Sequence, residues 1–383
     1  MYVIKEKFLI MIYLDYSANT PADPIVLETF SQVITNFPGN ANSKHIAGNA
    51  AQLKQNEISE NIADMLCINP EEIIYTSGAT ESNNLAVKGI ARSERHTGRH
   101  IITTPLEHPS VSAPLTALQE IGYEIDMVKI GLDGKVDLEH FRSLLRKDTI
   151  LTTVCAVDSE LGTVQPISEI ADILSNFPNC KLHIDATQAV GKIPFDFKIA
   201  DTVSFAPHKF YGIVGSGILY KKEGLIIEPI IHGGMSTNIF RSGTPTTALN
   251  AAAEAALSLA LDSMDEHFEA VKELNTILRK KLSEYPKVVI NSPNNAIPHI
   301  LNLSVTGVKG VDFQRALSEK GVCVSVKSAC STDSLPSRAV FAVSRNRKNA
   351  LNSWRISLSH LTTYDEINEF LNIFEDCYKE LAE

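Results

Sequence analysis

Three short stretches of this sequence hold residue types that can do chemistry. In Thr76–Asn84, TSGATESNN, a strand-like run (EEIIYTS) enters Ser77-Gly78 and a helical pattern opens at Ala79. Glycine permits the tight turn, and the amides of Ala79 and Thr80 at the helix start form an anion site suited to a phosphate; a helix merely capped at glycine is the plainer alternative. In KLHIDATQ (181–188), Asp185 ends a strand of otherwise buried type. In APHK (206–209), Lys209 follows the next strand, so both groups reach the carboxyl edge of a sheet, where α/β folds bind ligands. There they form either a structural ion pair or a chemical couple. A desolvated lysine amine attacks an aldehyde carbon, and an aspartate keeps a pyridine nitrogen protonated. Beside a phosphate-binding helix start, these are the parts that pyridoxal phosphate requires. Neither a P-loop nor a GxGxxG fingerprint occurs.

The elements that must position these groups follow from the pattern. Between about residues 70 and 232, β-rich runs (EEIIYTS, HIITTPLE, EIDMVKI, TILTTVCAV, KLHIDAT, DTVSFAP, GILYKK, LIIEPII) alternate with helical stretches. That alternation predicts an α/β fold with a mostly parallel sheet flanked by helices. Leu249 to Leu282 reads as one long helix without Gly or Pro. Beyond Pro286 the reading is α+β, with strands in VVINSP, HILNLSV, CVSVKS and WRISLS and helices over Asp312–Glu319 and Tyr364–Leu381. The expected layout is an N-terminal segment (1–20) packed on the small domain, a large domain (21–255) and a small C-terminal domain (256–383).

The 383 residues suffice for a sizeable core, and 45 acidic against 35 basic residues give a net charge of −10, which disfavours nucleic acid or an anionic membrane as partner. No apolar run is long enough to span a membrane. The stretch Phe8–Leu14 ends in Asp15 without a cleavage site and reads as a strand rather than a signal peptide. Six cysteines without a CxxC pair indicate a reduced, cytoplasmic setting. Five read as small core residues; Cys330 lies in a polar, serine-rich stretch that reads as a loop. His96 and His100 read as a surface turn, and no metal site is expected.

TSGATESNN, LEHPSV with His108, HIDATQAVGK, PHK, HGG followed by RSGT (241–244) and SACS around Cys330 occur in this order. Their register resembles the cysteine desulfurases (NifS/IscS-like) of the class V aminotransferase family, fold type I among pyridoxal-phosphate enzymes. YLDYSANTP and RISLSHLTT extend the likeness over about Tyr13 to Leu381. The resemblance implies a seven-stranded-type sheet in the large domain, a homodimer and the conversion of L-cysteine to L-alanine, with persulfide formed on Cys330 and passed to an acceptor protein. It makes Lys209 the lysine that holds the cofactor, Asp185 the partner of its ring nitrogen, and His108 a residue stacked on its ring that shuttles protons. Gln188 bonds the ring oxygen, and Ala79, Thr80 and His208 cup the phosphate. Thr244 reaches the phosphate of the neighbouring subunit. Arg355, assisted by Asn40, clamps the substrate carboxylate.

Several positions depart from the family pattern. Asp158-Ser159-Glu160 stands for Asn-Asn-Glu, placing Ser159 where an asparagine lies near the cofactor. Ala206 stands for a serine that donates to the phosphate, and Lys327 for a glycine three residues before Cys330, where its charge is expected to favour the thiolate. Met11-Ile12-Tyr13 resembles the usual family start, so residues 1–10 read either as an extension or as a stretch that is never translated. A selenocysteine-cleaving or other C–S lyase of the same fold, and a catalytically weak sulfur-delivery scaffold, are the alternatives: a simple lyase gives pyruvate instead of alanine, and a scaffold neither.

Overall fold

The computed structural model describes residues 11–234, 238–327 and 335–382. Its strands are β1 (Ile12–Tyr13), β2 (Ile73–Thr76), β3 (His100–Thr103), β4 (Glu124–Met127), β5 (Thr149–Cys155), β6 (Lys181–Asp185), β7 (Thr202–Phe205), β8 (Gly217–Lys221), β9 (Val288–Ile290), β10 (Ile300–Val305), β11 (Val322–Cys323) and β12 (Ser353–Ser357). Its helices are α1 (Pro24–Asn36), α2 (Ile46–Leu66), α3 (Ala79–Ser93), α4 (Pro109–Gln119), α5 (Leu138–Leu144), α6 (Ile167–Leu174), α7 (Thr247–Asp262), α8 (Met264–Leu282), α9 (Gly310–Glu319), α10 (Arg338–Ser344), α11 (Arg347–Asn352) and α12 (Tyr364–Ala382).

Seven strands form one sheet in the order β2-β8-β7-β6-β5-β3-β4. Only β8 runs against the rest, pairing antiparallel with both β2 and β7. β5, TILTTVC, is buried along its whole length, as a parallel strand covered on both faces must be. The expected mostly parallel α/β sheet is therefore present. The run LIIEPII (225–231) is not a strand. Pro229 removes a ladder donor, and the segment instead crosses α3, where Glu228 N–H donates to Gly89 O at 3.1 Å. Gly89 allows that approach, since a Cβ there would sit 2.9 Å from Glu228 O.

The long helix expected over 249–282 breaks at Ser263, which ends α7 and precedes α8. The two halves serve different cores. Ala252, Ala256, Leu257 and Ala260 of α7 pack in the core of the large sheet, so that core continues past residue 255. Val271, Leu274, Leu278 and Leu282 of α8 pack with Phe313, Trp354, Phe370 and Phe374 in a second core, over the antiparallel sheet β12-β10-β9. Ile12 and Leu14 join this second core, because β1 pairs parallel with β11, Ile12 opposite Val322.

Candidate active site

The carboxyl ends of the parallel strands open into a cavity of about 390 Å³. Its wall includes Gly78, Ala79 and Thr80 at the start of α3, His108 before α4, Asp185 at the end of β6, Gln188, His208 and Lys209 after β7, and Arg355 from β12. The sequence thus delivers these groups to one place from strand ends far apart in the chain.

At the start of α3 the first-turn amides of Ala79 and Thr80 have no intrahelical acceptor. A Cβ on Gly78 or Gly215, both in the wall, would meet nothing within 4 Å, so the cradle is open. Glu81 fastens the turn, accepting from Ser77 N at 2.8 Å and from Arg241 Nε at 2.8 Å. Its bonds to Arg241 and Ser77 outweigh burial and hold its carboxyl below the usual range.

Asp185 is held from both oxygens: Oδ1 accepts from Thr187 N at 3.0 Å and Oδ2 from Asn83 Nδ2 at 2.8 Å. Asn83, fully buried on α3, also donates to Ser110 Oγ at 2.8 Å, and its Oδ1 meets His183 Nε2 at 3.0 Å and the hydroxyl of Ser204. Burial pushes the His183 imidazole down to about 4. That ring is neutral, with Nε2 as the donor to Asn83. Ser110 Oγ in turn lies 2.8 Å from His108 Nδ1, which accepts from Ser110 N at 3.1 Å. His108 is therefore both the N-cap of α4 and a wall of the cavity. An amide donor at Nδ1 places the proton of neutral His108 on Nε2, and burial, aided by Lys209, lowers its pKa against the pull of Asp185.

Lys209 lies on the short turn Pro207–Lys209 and donates Nζ to Ser17 O at 2.9 Å and Ala18 O at 2.6 Å. Gln188 donates Nε2 to Ser17 O at 2.9 Å and accepts from Lys192 Nζ at 2.6 Å. Burial first, then the charges of Lys209 and Arg355, push the Lys192 amine down to about 7. His208 is pushed to about 4 by burial and the same lysines, and its buried Nδ1 has no partner among the described residues.

Arg355, 2% exposed, donates Nη2 to Asp15 Oδ1 at 2.8 Å and Nη1 to Ser159 O at 2.8 Å; its Nε has no partner among the described residues. Ser159, Leu106 and His108 also line a neighbouring cavity of about 510 Å³, whose wall includes Glu107, Glu160, Lys327 and Arg338. Glu107 is buried, accepts from Thr104 Oγ1 at 2.8 Å and Cys155 N at 2.9 Å, and burial raises its carboxyl to about 8. Asp158 is likewise raised by burial, to about 7.

Of the expected residues, Ala79, Thr80, His108, Ser159, Asp185, Gln188, His208, Lys209 and Arg355 share the first cavity. Ala206 does not line it: the residue is fully buried below the turn. Thr244 and Asn40 are exposed and lie outside the wall, Asn40 accepting from Asn42 N at 3.0 Å. Cys330 lies outside the described residues. Lys327 is 8% exposed and lines the second cavity. Two smaller expectations need correction. Cys67 is exposed, not core, because it takes a left-handed conformation (φ 55°) just past the end of α2. His100 is not on a surface turn but buried at the head of β3, bonded to Thr149 Oγ1 at 2.8 Å.

Asn83, Asp15, Glu107 and Lys192 were not singled out by sequence. Asn83 stands within TSGATESNN and Lys192 within HIDATQAVGK, so only position in those motifs could have marked them. Among the described residues no group of three or more His, Cys, Asp or Glu could hold a metal ion, and no helix is long and apolar enough to cross a membrane.

Residues 12–370 match the model of the aminotransferase class-V family. The chain is 36% identical over 378 residues to a NifS/IcsS protein homolog of Lactobacillus delbrueckii subsp. bulgaricus, covering 97% of this chain and 98% of that one. It is 36% identical over 375 residues to the cysteine desulfurase IscS of Dictyoglomus turgidum, covering 97% and 95%. A solved NifS-like protein superposes with a TM-score of 0.91 at 32% identity, over 97% of this chain and 100% of its own. With a cavity of this composition on a sheet of this order, and likeness over nearly the whole length, the chain belongs to the class V aminotransferase family.

Proposed function

We propose that this chain is a pyridoxal-phosphate-dependent cysteine desulfurase that converts L-cysteine to L-alanine, collects the sulfur as a persulfide on Cys330, passes it to an acceptor protein and acts as a homodimer. The observation that carries the reading is the convergence of Lys209, Asp185, His108 and Arg355 on one cavity.

The residues present fit the cofactor. The open cradle at Gly78, the first-turn amides of Ala79 and Thr80 and the Nδ1 of His208, which has no partner among the described residues, suit its phosphate. Asp185, fixed by two donors, suits a protonated ring nitrogen, and the amine of Lys209 suits its aldehyde carbon. When bound, the group supplies an electron sink that acidifies the Cα of an attached amino acid.

The chain's own side chains do the rest. Arg355 brings a buried guanidinium for the substrate carboxylate, oriented by Asp15 and Ser159 O. Neutral His108 offers Nε2 for proton transfer, and the amine of Lys209 faces the same cavity, within reach of the same bound group. The exposure of Thr244 away from its own cavity supports service to the neighbouring copy. Incubating the protein with L-cysteine and pyridoxal phosphate tests the reading. The expected result is alanine, with one additional sulfur on the Cys330 peptide by mass spectrometry. Pyruvate and free sulfide, or neither product, would overturn it.

A further inference from the structure

Leu335 precedes α10, and along that helix Arg338 and Phe341 stand one turn apart. Arg345 follows in a left-handed conformation (φ 52°), and Arg347 and Lys348 open α11. All of these are exposed, Phe341 by 45% and Leu335 by 58%. Among the described residues none of the four cations has an ion-pair partner; Arg345 only donates Nη2 to Ile130 O at 3.0 Å. Residues 335–352 contain no Asp or Glu, in a chain whose net charge is −10.

This face borders the second cavity, which Leu335 and Arg338 line and which shares Leu106, His108 and Ser159 with the first. The carboxylates of Glu120 and Glu160 lie in the wall of that cavity, so the surface that attracts an acid is α10–α11 rather than the cavity itself. Unpaired cations around exposed apolar side chains are the complement of an acidic protein segment with an apolar anchor. A long nucleic acid is disfavoured by the negative field of the whole chain.

We propose that the α10–α11 face docks an acidic segment of the protein that receives the sulfur, holding its thiol at the mouth of the second cavity. This rests on the desulfurase reading. In the transfer, the acceptor thiolate attacks the outer sulfur of the Cys330 persulfide. A sulfur–sulfur bond forms to the acceptor, the one to Cys330 breaks, and its electron pair leaves with the Cys330 thiolate, so no external oxidant is needed.

The test uses a fluorescent glutamate-rich peptide with one cysteine and its glutamine counterpart as probes of the full-length holoenzyme. Anisotropy should show roughly tenfold tighter binding of the acidic peptide at low salt, lost at high salt. The triple variant Arg338→Ser, Arg347→Ser, Lys348→Ser should lose that preference, as should the rate of sulfur transfer to the peptide, while alanine formation with a small thiol as acceptor stays unchanged. Equal binding of the two peptides, a preference that survives the triple variant, or tighter binding of an RNA oligomer than of the peptide overturns the proposal. Alanine formation, read separately, reports on the desulfurase reading, because peptide binding does not depend on turnover.

Discussion

Asn83 Nδ2 donates to Asp185 Oδ2 at 2.8 Å, and the same amide nitrogen donates to Ser110 Oγ, the hydroxyl that touches His108 Nδ1. One buried side chain on α3 thus sets the carboxylate at the end of β6 and the imidazole before α4. The helix that carries it also presents the anion cradle at its first turn, so three parts of the site are referenced to a single rigid element.

Asn83→Leu keeps the volume and removes these bonds. Asp185 Oδ2 and His183 Nε2 then lose their partner in a buried setting, at a cost of about 1–3 kcal/mol for each group left unsatisfied. Urea unfolding should show that loss, and cofactor affinity should fall with it. Wild-type stability and affinity together would mean that Asp185 is held by Thr187 alone.

Glu107 gives a pH dependence of defined sign. Its carboxyl sits at about 8 in the folded chain, above its ordinary value, because it is buried. The unfolded chain releases this proton near 4.5 and the folded chain does not, so the stabilisation is complete below about 4.5 and is lost as pH rises toward 8. Glu107→Gln keeps an oxygen for Thr104 and Cys155 N–H and does not titrate. The stability of wild type relative to the variant should decline between pH 5 and 8 in urea titrations. Parallel curves would mean that Glu107 is charged in the fold.

Arg355→Lys should raise KM for cysteine by about tenfold or more, since a point charge cannot bond Asp15, Ser159 O and a substrate carboxylate in one plane. The yellow colour of the bound cofactor should persist, because Lys209 is untouched. An unchanged KM in alanine-release assays would assign the carboxylate to another group.

Ala206→Ser tests a departure from the family pattern. Ala206 is fully buried and outside the cavity wall, so a hydroxyl there meets packed core. The expected outcome is no gain in cofactor affinity and a stability loss of about 1–3 kcal/mol, reversing what the sequence alone implies. A lower dissociation constant for pyridoxal phosphate would show that the added hydroxyl reaches the phosphate.

Lys209, Asp185 and the start of α3 were legible in the sequence because each follows a short buried strand, and strand ends of a parallel sheet share an edge. Their supports were not. Asp15 meets Arg355 across 340 positions, and nothing in either neighbourhood announces the other. Asn83 and Lys192 are ordinary helix or loop residues until folding buries them. The break at Ser263 is invisible to helix propensity, since it follows from α7 and α8 packing in different cores. Asn40 and Thr244 are exposed and lie outside the cavity wall, so nothing in the single chain's packing marks them.

The pairing of Ile12 with Val322 also sets when the protein can exist during synthesis. β1 leaves the ribosome well before its partner strand, which is made more than 300 residues later, and Arg355, the ion-pair partner of Asp15, follows later still. The large sheet, complete by Lys221, can form while the rest is being translated. The apolar Ile12 and Leu14 must wait unpaired through that interval, exposed to chaperones and to mispairing. A nascent chain therefore holds the lysine and the anion cradle long before the arginine that Asp15 orients, and a product that stops before Arg355 cannot assemble the whole site.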